Sequence, residues 1–403
     1  MVYESHECLA FVLYRQVRCG TYPFNMNLAP PSVAIVGTYP PTRCGIATFT
    51  WSLSEAMRPY GPYGPNVIRV LGADEMASPN PRVVANWRQG DSRSLFESVA
   101  AANCFDVVVV QHEFGIYGGC DGQSVLPFVE ACAVPVVTVL HTVVPFPSPS
   151  QREIVERLAL HSAAVVVQTM AARDRLLSTT NVDPNVVIVI PHGAELNLQG
   201  PSEQLAPAPQ VLTWGLLGPG KGLEHGIDAV ALLGDLVPAP TYVILGRTHP
   251  KVVEREGEAY RDSLILRAQR AGVSHRVVFD DSYRDFSELR RLTRGVDVVL
   301  LPYDSRDQVT SGVLVEAIAA GKPTVSTAFP HALELSSRGV GLTVEHGNPE
   351  AMAAAIRHIL TKPSMAAELR MAAEQESLSV AWPAVAARYH ELMTRVPSVS
   401  AAS

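Results

Sequence analysis

Short apolar runs rich in valine and isoleucine recur along the chain, each followed by a stretch with helical spacing. In the first half they read SVAIVGTY (32–39), NVIRVLG (66–72), DVVVVQHE (106–113), VPVVTVLHT (134–142), AAVVVQT (163–169) and VVIVIPHG (186–193). They are apolar at consecutive positions, the mark of strands buried on both faces of a parallel sheet. QREIVERLALHSA (151–163) predicts the clearest helix between them. LNLQGPSEQLAPAPQ (196–210), rich in Pro, Ala and polar residues, breaks the rhythm and reads as a linker. The alternation then restarts with VLTWGLL (211–217), TYVILG (241–246), RVVFDD (276–281), VDVVLLPY (296–303), PTVSTAF (323–329) and GLTVEHG (341–347). Strand alternating with helix predicts an α/β fold of two doubly wound, Rossmann-like domains, 31–195 and 211–380. Ligands of such sheets bind beyond the carboxyl ends of the strands, so the cleft between the domains is the expected site. Residues 1–30 carry no periodicity; they read as an extension, disordered or left by an upstream start, and are assigned no function.

Composition narrows this picture. The chain has 403 residues, 47 % hydrophobic and 18 % charged, which fits a soluble, well-packed protein of at least two domains. A formal charge of −7 gives no basic field for nucleic acid. No apolar run reaches the roughly 20 residues that span a bilayer. The six cysteines (8, 19, 44, 104, 120 and 132) form no C-x-x-C pair and read as reduced thiols of a cytoplasmic protein.

Two stretches carry chemistry. GLLGPGKG (215–222) fits a P-loop at Gly215, Gly220 and Lys221, but Gly222 stands where Ser or Thr would hold Mg²⁺. Placed between a strand and the helix EHGIDAVALLGDL, it can still hold phosphate through backbone N–H groups, a helix N-terminus and the charge of Lys221. The second stretch is DQVTSGVLVEAIAAGKPTVST (307–327). Thr310 or Ser311 can cap a helix there, Gly312 leaves its backbone open, and Glu316 is the one charge between Asp307 and Lys322. A carboxylate on an apolar helix faces solvent or meets donors such as ligand hydroxyls.

GKGLEHGIDA followed by LVEAIAAGKPTVST resembles the donor-binding half of retaining glycosyltransferases of family 4, which have the GT-B fold. GTYPPTRCGIATFTWSL (37–53) resembles that family's N-terminal glycine loop, LHT (140–142) its active-site histidine segment, and QHEFGIYGG (111–119) one bacterial branch. AWPAVAARYHELM (381–393) is similar to the last helix, which crosses back onto the first domain over about 381–395. The resemblance spans roughly residues 32–395.

It implies roles. Lys221 would neutralise a donor diphosphate, the backbone at Thr310, Ser311 and Gly312 would bind its oxygens, and Glu316 would accept from the ribose. Gly45 would approach phosphate and sugar, and His141 would lie beside the sugar. The family's phosphate arginine is Leu216 here, and its sugar-binding glutamate is Gln308, which keeps a carbonyl acceptor but no charge. Arg247, directly after TYVILG, is a candidate substitute cation; solvent is its other destination. His112 and Glu113, at a strand end, are candidate acceptor contacts or structural residues. His192 reads as shaping a strand exit, and Trp51, Trp214 and Trp382 as packing cores and the domain seam.

The implied function is transfer of a hexosyl group, glucose or mannose by family frequency, from a nucleotide-diphospho-sugar to a hydroxyl of a sugar, glycoside or lipid, with retention. There is no D-x-D, which fits a metal-independent front-face reaction with no cofactor. Peripheral contact with a membrane stays open. A GT-B epimerase, a phosphorylase and a degenerate sugar-nucleotide-binding protein are the rival readings.

Overall fold

The structure, a computed structural model, describes residues 30–396 apart from 62–63, 199–206 and 283–285. The N-terminal extension and the centre of the linker therefore lie outside the described residues. The first domain is a seven-stranded sheet of β1 (Val33–Gly37), β2 (Asn66–Leu71), β3 (Val83–Arg88), β4 (Val107–His112), β5 (Val136–Leu140), β6 (Ala164–Val167) and β7 (Val187–Val189). Its order is β3-β2-β1-β4-β5-β6-β7, and every pairing is parallel. The second domain contains β8 (Gln210–Trp214), β9 (Thr241–Leu245), β10 (Val277–Asp280), β11 (Val298–Leu301), β12 (Thr324–Thr327) and β13 (Leu342–Val344), in the order β10-β9-β8-β11-β12-β13.

Each apolar run predicted above is one of these strands. The strand missed is β3, an edge strand whose side chains are mostly half-exposed, so no apolar run marks it. In both sheets the strand order reverses beside the first strand: β1 lies between β2 and β4, and β8 between β9 and β11. These switch points open the crevices where ligands of doubly wound sheets bind.

The last helix, Trp382–Arg395, returns to the first domain. Trp382, Val385 and Tyr389 share a core with Ile35, Val109 and Phe49. Ala194 pairs with Ala381 at the crossing. A Cβ on Gly193 would lie 2.3 Å from the Trp382 ring, so the chain can pass there only as glycine. Among the described residues, no helix is long and apolar enough to cross a membrane.

Candidate active site

The loop after β8 is built around a close backbone approach. Gly222 has φ 60°, and a Cβ there would lie 1.9 Å from the Pro302 carbonyl oxygen. The P-loop hydroxyl is thus sterically forbidden, which answers the question raised by GLLGPGKG. Asp304 N donates to Gly220 O at 3.0 Å and pins the turn. Gly222 caps the helix Leu223–Ala231 without a side-chain bond, so the first amides of that helix stay available. Lys221 Nζ lies over the Tyr303 ring, 4.4 Å from its centroid. Burial pushes the Lys221 amine below its usual range, and no ion pair reaches it among the described residues.

Tyr303 joins this loop to the second motif. Its buried phenol, pushed up to about 12, is hydrogen-bonded to Ser311. Ser311 caps the helix Gly312–Ala319, its Oγ accepting from Leu314 N at 3.3 Å. Its own amide is already taken, because it donates to His331 Nδ1 at 3.0 Å. The open donors of this helix N-terminus are therefore the amides of Gly312 and Val313. The Thr310 carbonyl accepts from Gln308 Nε2 at 3.0 Å, a bond that leaves the Gln308 Oε1 as its acceptor. One turn into the helix, Trp214 Nε1 donates to Glu316 Oε2 at 3.0 Å. Burial raises the Glu316 carboxyl and the indole opposes the shift. The predicted demand of this carboxylate for donors is half met by a residue on β8, leaving Oε1 for others. Trp214 is thus a partner of the site as well as a packed core residue.

The first domain supplies the facing wall. Gly45 opens the helix Gly45–Ala56 and is exposed. One turn later Phe49 packs edge-on against His141 (4.7 Å between centroids) and His192 (5.1 Å). A Cβ at Gly312 would lie 3.4 Å from His192 Nε2, which brings the two domains together at the helix N-terminus. An unbroken chain of contacts runs from the Gly45 helix through Phe49, His192, Gly312, Ser311 and Tyr303 to Lys221.

His141 is half-buried at the surface and neutral. Its Nε2 donates to Gln111 Oε1 at 2.7 Å, and its Nδ1 accepts from Gln168 Nε2 at 3.3 Å. Desolvation lowers it to about 3, helped by His192 and His112. His112 is fully buried with both ring nitrogens unpartnered, between Phe114 and Tyr117. Glu113 accepts from Thr142 Oγ1 and from Phe114 N, the latter at 3.1 Å. One edge of the cleft is tied shut: Thr169 Oγ1 donates to Val309 O at 2.8 Å, Ala171 N to Glu334 Oε2 at 3.1 Å, and Arg175 to Asp307 O.

Leu216 is 46 % exposed where the resemblance would place an arginine. Arg247 is an exposed neighbour, since its carbonyl accepts from Leu217 N at 2.8 Å; its Nε donates to Asp281 O at 2.9 Å. One trio among the described residues, Glu224, His225 and Asp304, has ligand atoms within 4.8 Å of one another. Its members already serve other partners: His225 Nε2 contacts Asp304 at 3.0 Å, and Glu224 takes the Tyr260 hydroxyl at 3.0 Å. Sequence reasoning missed Gln111, Gln168, Tyr303 and His331. Each acts through a contact distant in sequence, and only the unexplained carboxylate of Glu316 signalled that such a partner existed.

Residues 201–376 match the family model of glycosyl transferases group 1. The D-inositol 3-phosphate glycosyltransferase of Mycobacterium sp. (strain JLS) is 28 % identical over 217 residues, 49 % of this chain and 46 % of that protein. The chain spans about half the length of the curated relatives it matches. Among solved structures, Anabaena Alr3699/HepE in complex with UDP and glucose aligns with a TM-score of 0.72 at 18 % identity, covering 90 % of this chain and 99 % of that one. Sucrose-phosphate synthase of Thermosynechococcus elongatus aligns with 0.69 at 16 % identity, covering 90 % and 98 %. Residues 201–376, most of the second domain, thus match the group 1 glycosyl transferases, and the chain as a whole shares its two facing parallel sheets and returning last helix with these solved structures, the GT-B fold.

Proposed function

We propose that the protein transfers a hexosyl group, glucose in the first instance and mannose otherwise, from a nucleotide-diphospho-sugar to a hydroxyl acceptor with retention of configuration. The observation that carries the reading is the convergence of an unpaired Lys221, two open helix N-termini and a half-satisfied Glu316 in one cleft. Breaking the bond from anomeric carbon to diphosphate builds negative charge on the leaving group. Lys221 and the amides of Gly312 and Val313 are preorganised to meet it. Glu316 Oε1 suits the hydroxyls of a ribose. His141, with both nitrogens engaged, is positioned to line the sugar as a neutral wall. In a front-face transfer the leaving phosphate oxygen takes the acceptor's proton, so the reaction requires neither a protein base nor a metal.

The names of the relatives agree in kind: a glycosyltransferase, and a structure holding UDP and glucose. The test is a panel of UDP-, GDP- and ADP-sugars scored by thermal shift, then by anomeric NMR of products with a sugar, glycoside or lipid acceptor. An α-linked product from an α-linked donor supports the reading. A changed sugar without acceptor would indicate an epimerase, a sugar phosphate formed with free phosphate a phosphorylase, and binding without turnover a degenerate protein.

A further inference from the structure

His192 belongs to the first domain yet sits at the N-terminus of the second domain's phosphate-side helix, its Nε2 placed 3.4 Å from where a Gly312 Cβ would be. The hydrogen-bond inventory of this ring is decisive. Nδ1 lies 2.8 Å from the Gly193 carbonyl, which can only accept, so Nδ1 carries the proton. In the neutral ring Nε2 is then a bare acceptor, and it has no partner among the described residues. A phosphate diester oxygen is an acceptor too. The two can meet only if Nε2 gains a proton.

We propose that His192 is a phosphate ligand contributed by the first domain, and that it takes up a proton when a nucleotide sugar binds. The proposal rests on the donor-site reading above and adds a regulation to it: donor affinity is linked to pH.

Without ligand the ring is neutral, lowered by burial to about 4 against an ordinary 6.5. The groups around it explain why and show what would reverse it. Phe49 (5.1 Å) and Trp382 (6.3 Å) enclose the ring and bring no charge. His141 and His331 interact with it electrostatically and are themselves held neutral by burial, near 3. The Gly312 helix presents its positive end. The Gly193 carbonyl that accepts from Nδ1 favours an imidazolium, but burial outweighs it, and none of the other neighbours does. A diphosphate diester brings two negative charges to the same spot, beside a desolvated ring, and reverses the balance. The proton added at Nε2 comes from solvent, and the N–H formed donates to a phosphate oxygen. This also supplies a second cation in a cleft whose Leu216 side is apolar.

Titration calorimetry of the full chain with UDP-, GDP- and ADP-glucose, in two buffers of different protonation enthalpy between pH 5.5 and 7.5, counts the protons. Both phosphates of these donors are esterified, so uptake in this range belongs to the protein. The wild type is expected to take up close to one proton per donor bound and to lose about tenfold in affinity for each pH unit through part of that range. His192→Gln, which can donate without titrating, is expected to bind with no uptake and a flat pH profile. His331→Asn, which can still accept from the Ser311 amide, is expected to keep the uptake. Binding by the wild type without uptake, or uptake that survives in His192→Gln, overturns the role of His192 while leaving the donor site standing. If the wild type binds none of the three donors and no GDP-mannose either, the donor reading falls and His192 with it.

Discussion

The two walls of the cleft treat charge in opposite ways. The second domain holds the cation of Lys221 and the carboxyl of Glu316 beside open helix amides. The first domain presents imidazoles kept neutral by burial, His141 and His192, braced by the amides of Gln111 and Gln168. The difference matches the two halves of a nucleotide sugar. A diphosphate needs fixed positive potential, whereas a hexose offers hydroxyls that are best met by neutral donors and acceptors. Breaking the contrast on the charged side should cost most. Lys221→Ala is expected to lower turnover of a nucleotide sugar by about a hundredfold or more, the usual loss when one preorganised charge partner is removed. The thermal midpoint should hardly move, because Nζ makes no ion pair that folding requires. Wild-type rates in that variant would remove the charged wall from the mechanism.

Gly222→Ser tests the same wall through its backbone. The substitution restores the P-loop signature, but its Cβ meets the Pro302 carbonyl at 1.9 Å in a left-handed conformation. Chemical denaturation should show a loss of about 2–4 kcal/mol, in the range of overpacking and backbone strain combined. No triphosphatase activity should appear. An unchanged midpoint would mean that the loop is free to move and that its geometry is not fixed in advance.

How much of this was legible in sequence differs between the walls for a physical reason. Lys221, Gly312, Ser311 and Glu316 lie in two local stretches where a strand turns into a helix, and local spacing reveals such turns. The strands were legible as well, because burial on both faces forces consecutive apolar residues; β3, on a sheet edge, escaped that pressure. The neutral wall is assembled from β4, β5, the end of β6 and the exit of β7. A glutamine that tethers a histidine 30 residues away leaves no periodic trace. His192 looked like a strand-exit residue, and its bond to Gly193 fits that role; its approach to Gly312 exists only in three dimensions. Ser311 was read as an open phosphate donor, but His331 had already claimed its amide.

A buried imidazole behind the neutral wall, His112, has its own signature in stability. The unfolded chain binds protons on histidine near 6.5, while His112 in the fold is lowered to about 4 by burial. Below pH 6.5 the unfolded state takes the extra proton, so stability falls as pH drops from 6.5 towards 4. Each histidine held this way contributes up to about 1.4 kcal/mol per pH unit. His112→Met keeps comparable volume and removes two unpartnered buried nitrogens. It is expected to be about 1–2 kcal/mol more stable than the wild type at pH 5, with a smaller gain at pH 7.5. Denaturation at the two pH values decides this; an unaltered pH slope would mean that the buried ring is not the titrating group.

The smallest expected effect belongs to Arg247, an exposed cation just after β9. It follows β9, its carbonyl pairs with Leu217, and its Nε is spent on the Asp281 carbonyl. That bond fixes the base of the guanidinium, and the side chain as a whole is exposed. An exposed cation loses most of its Coulomb energy to solvent, so it can guide a diphosphate but not replace Lys221. Arg247→Ala is accordingly expected to weaken donor binding by only about three- to tenfold, with the difference shrinking as salt rises from 50 to 500 mM on the order of the Debye screening. Calorimetry at the two salt concentrations separates the cases. A salt-independent loss would mean that Arg247 makes a dry contact and belongs to the charged wall. Unchanged affinity at both salts would return it to solvent, leaving Lys221 to act with the helix amides and the ring of His192.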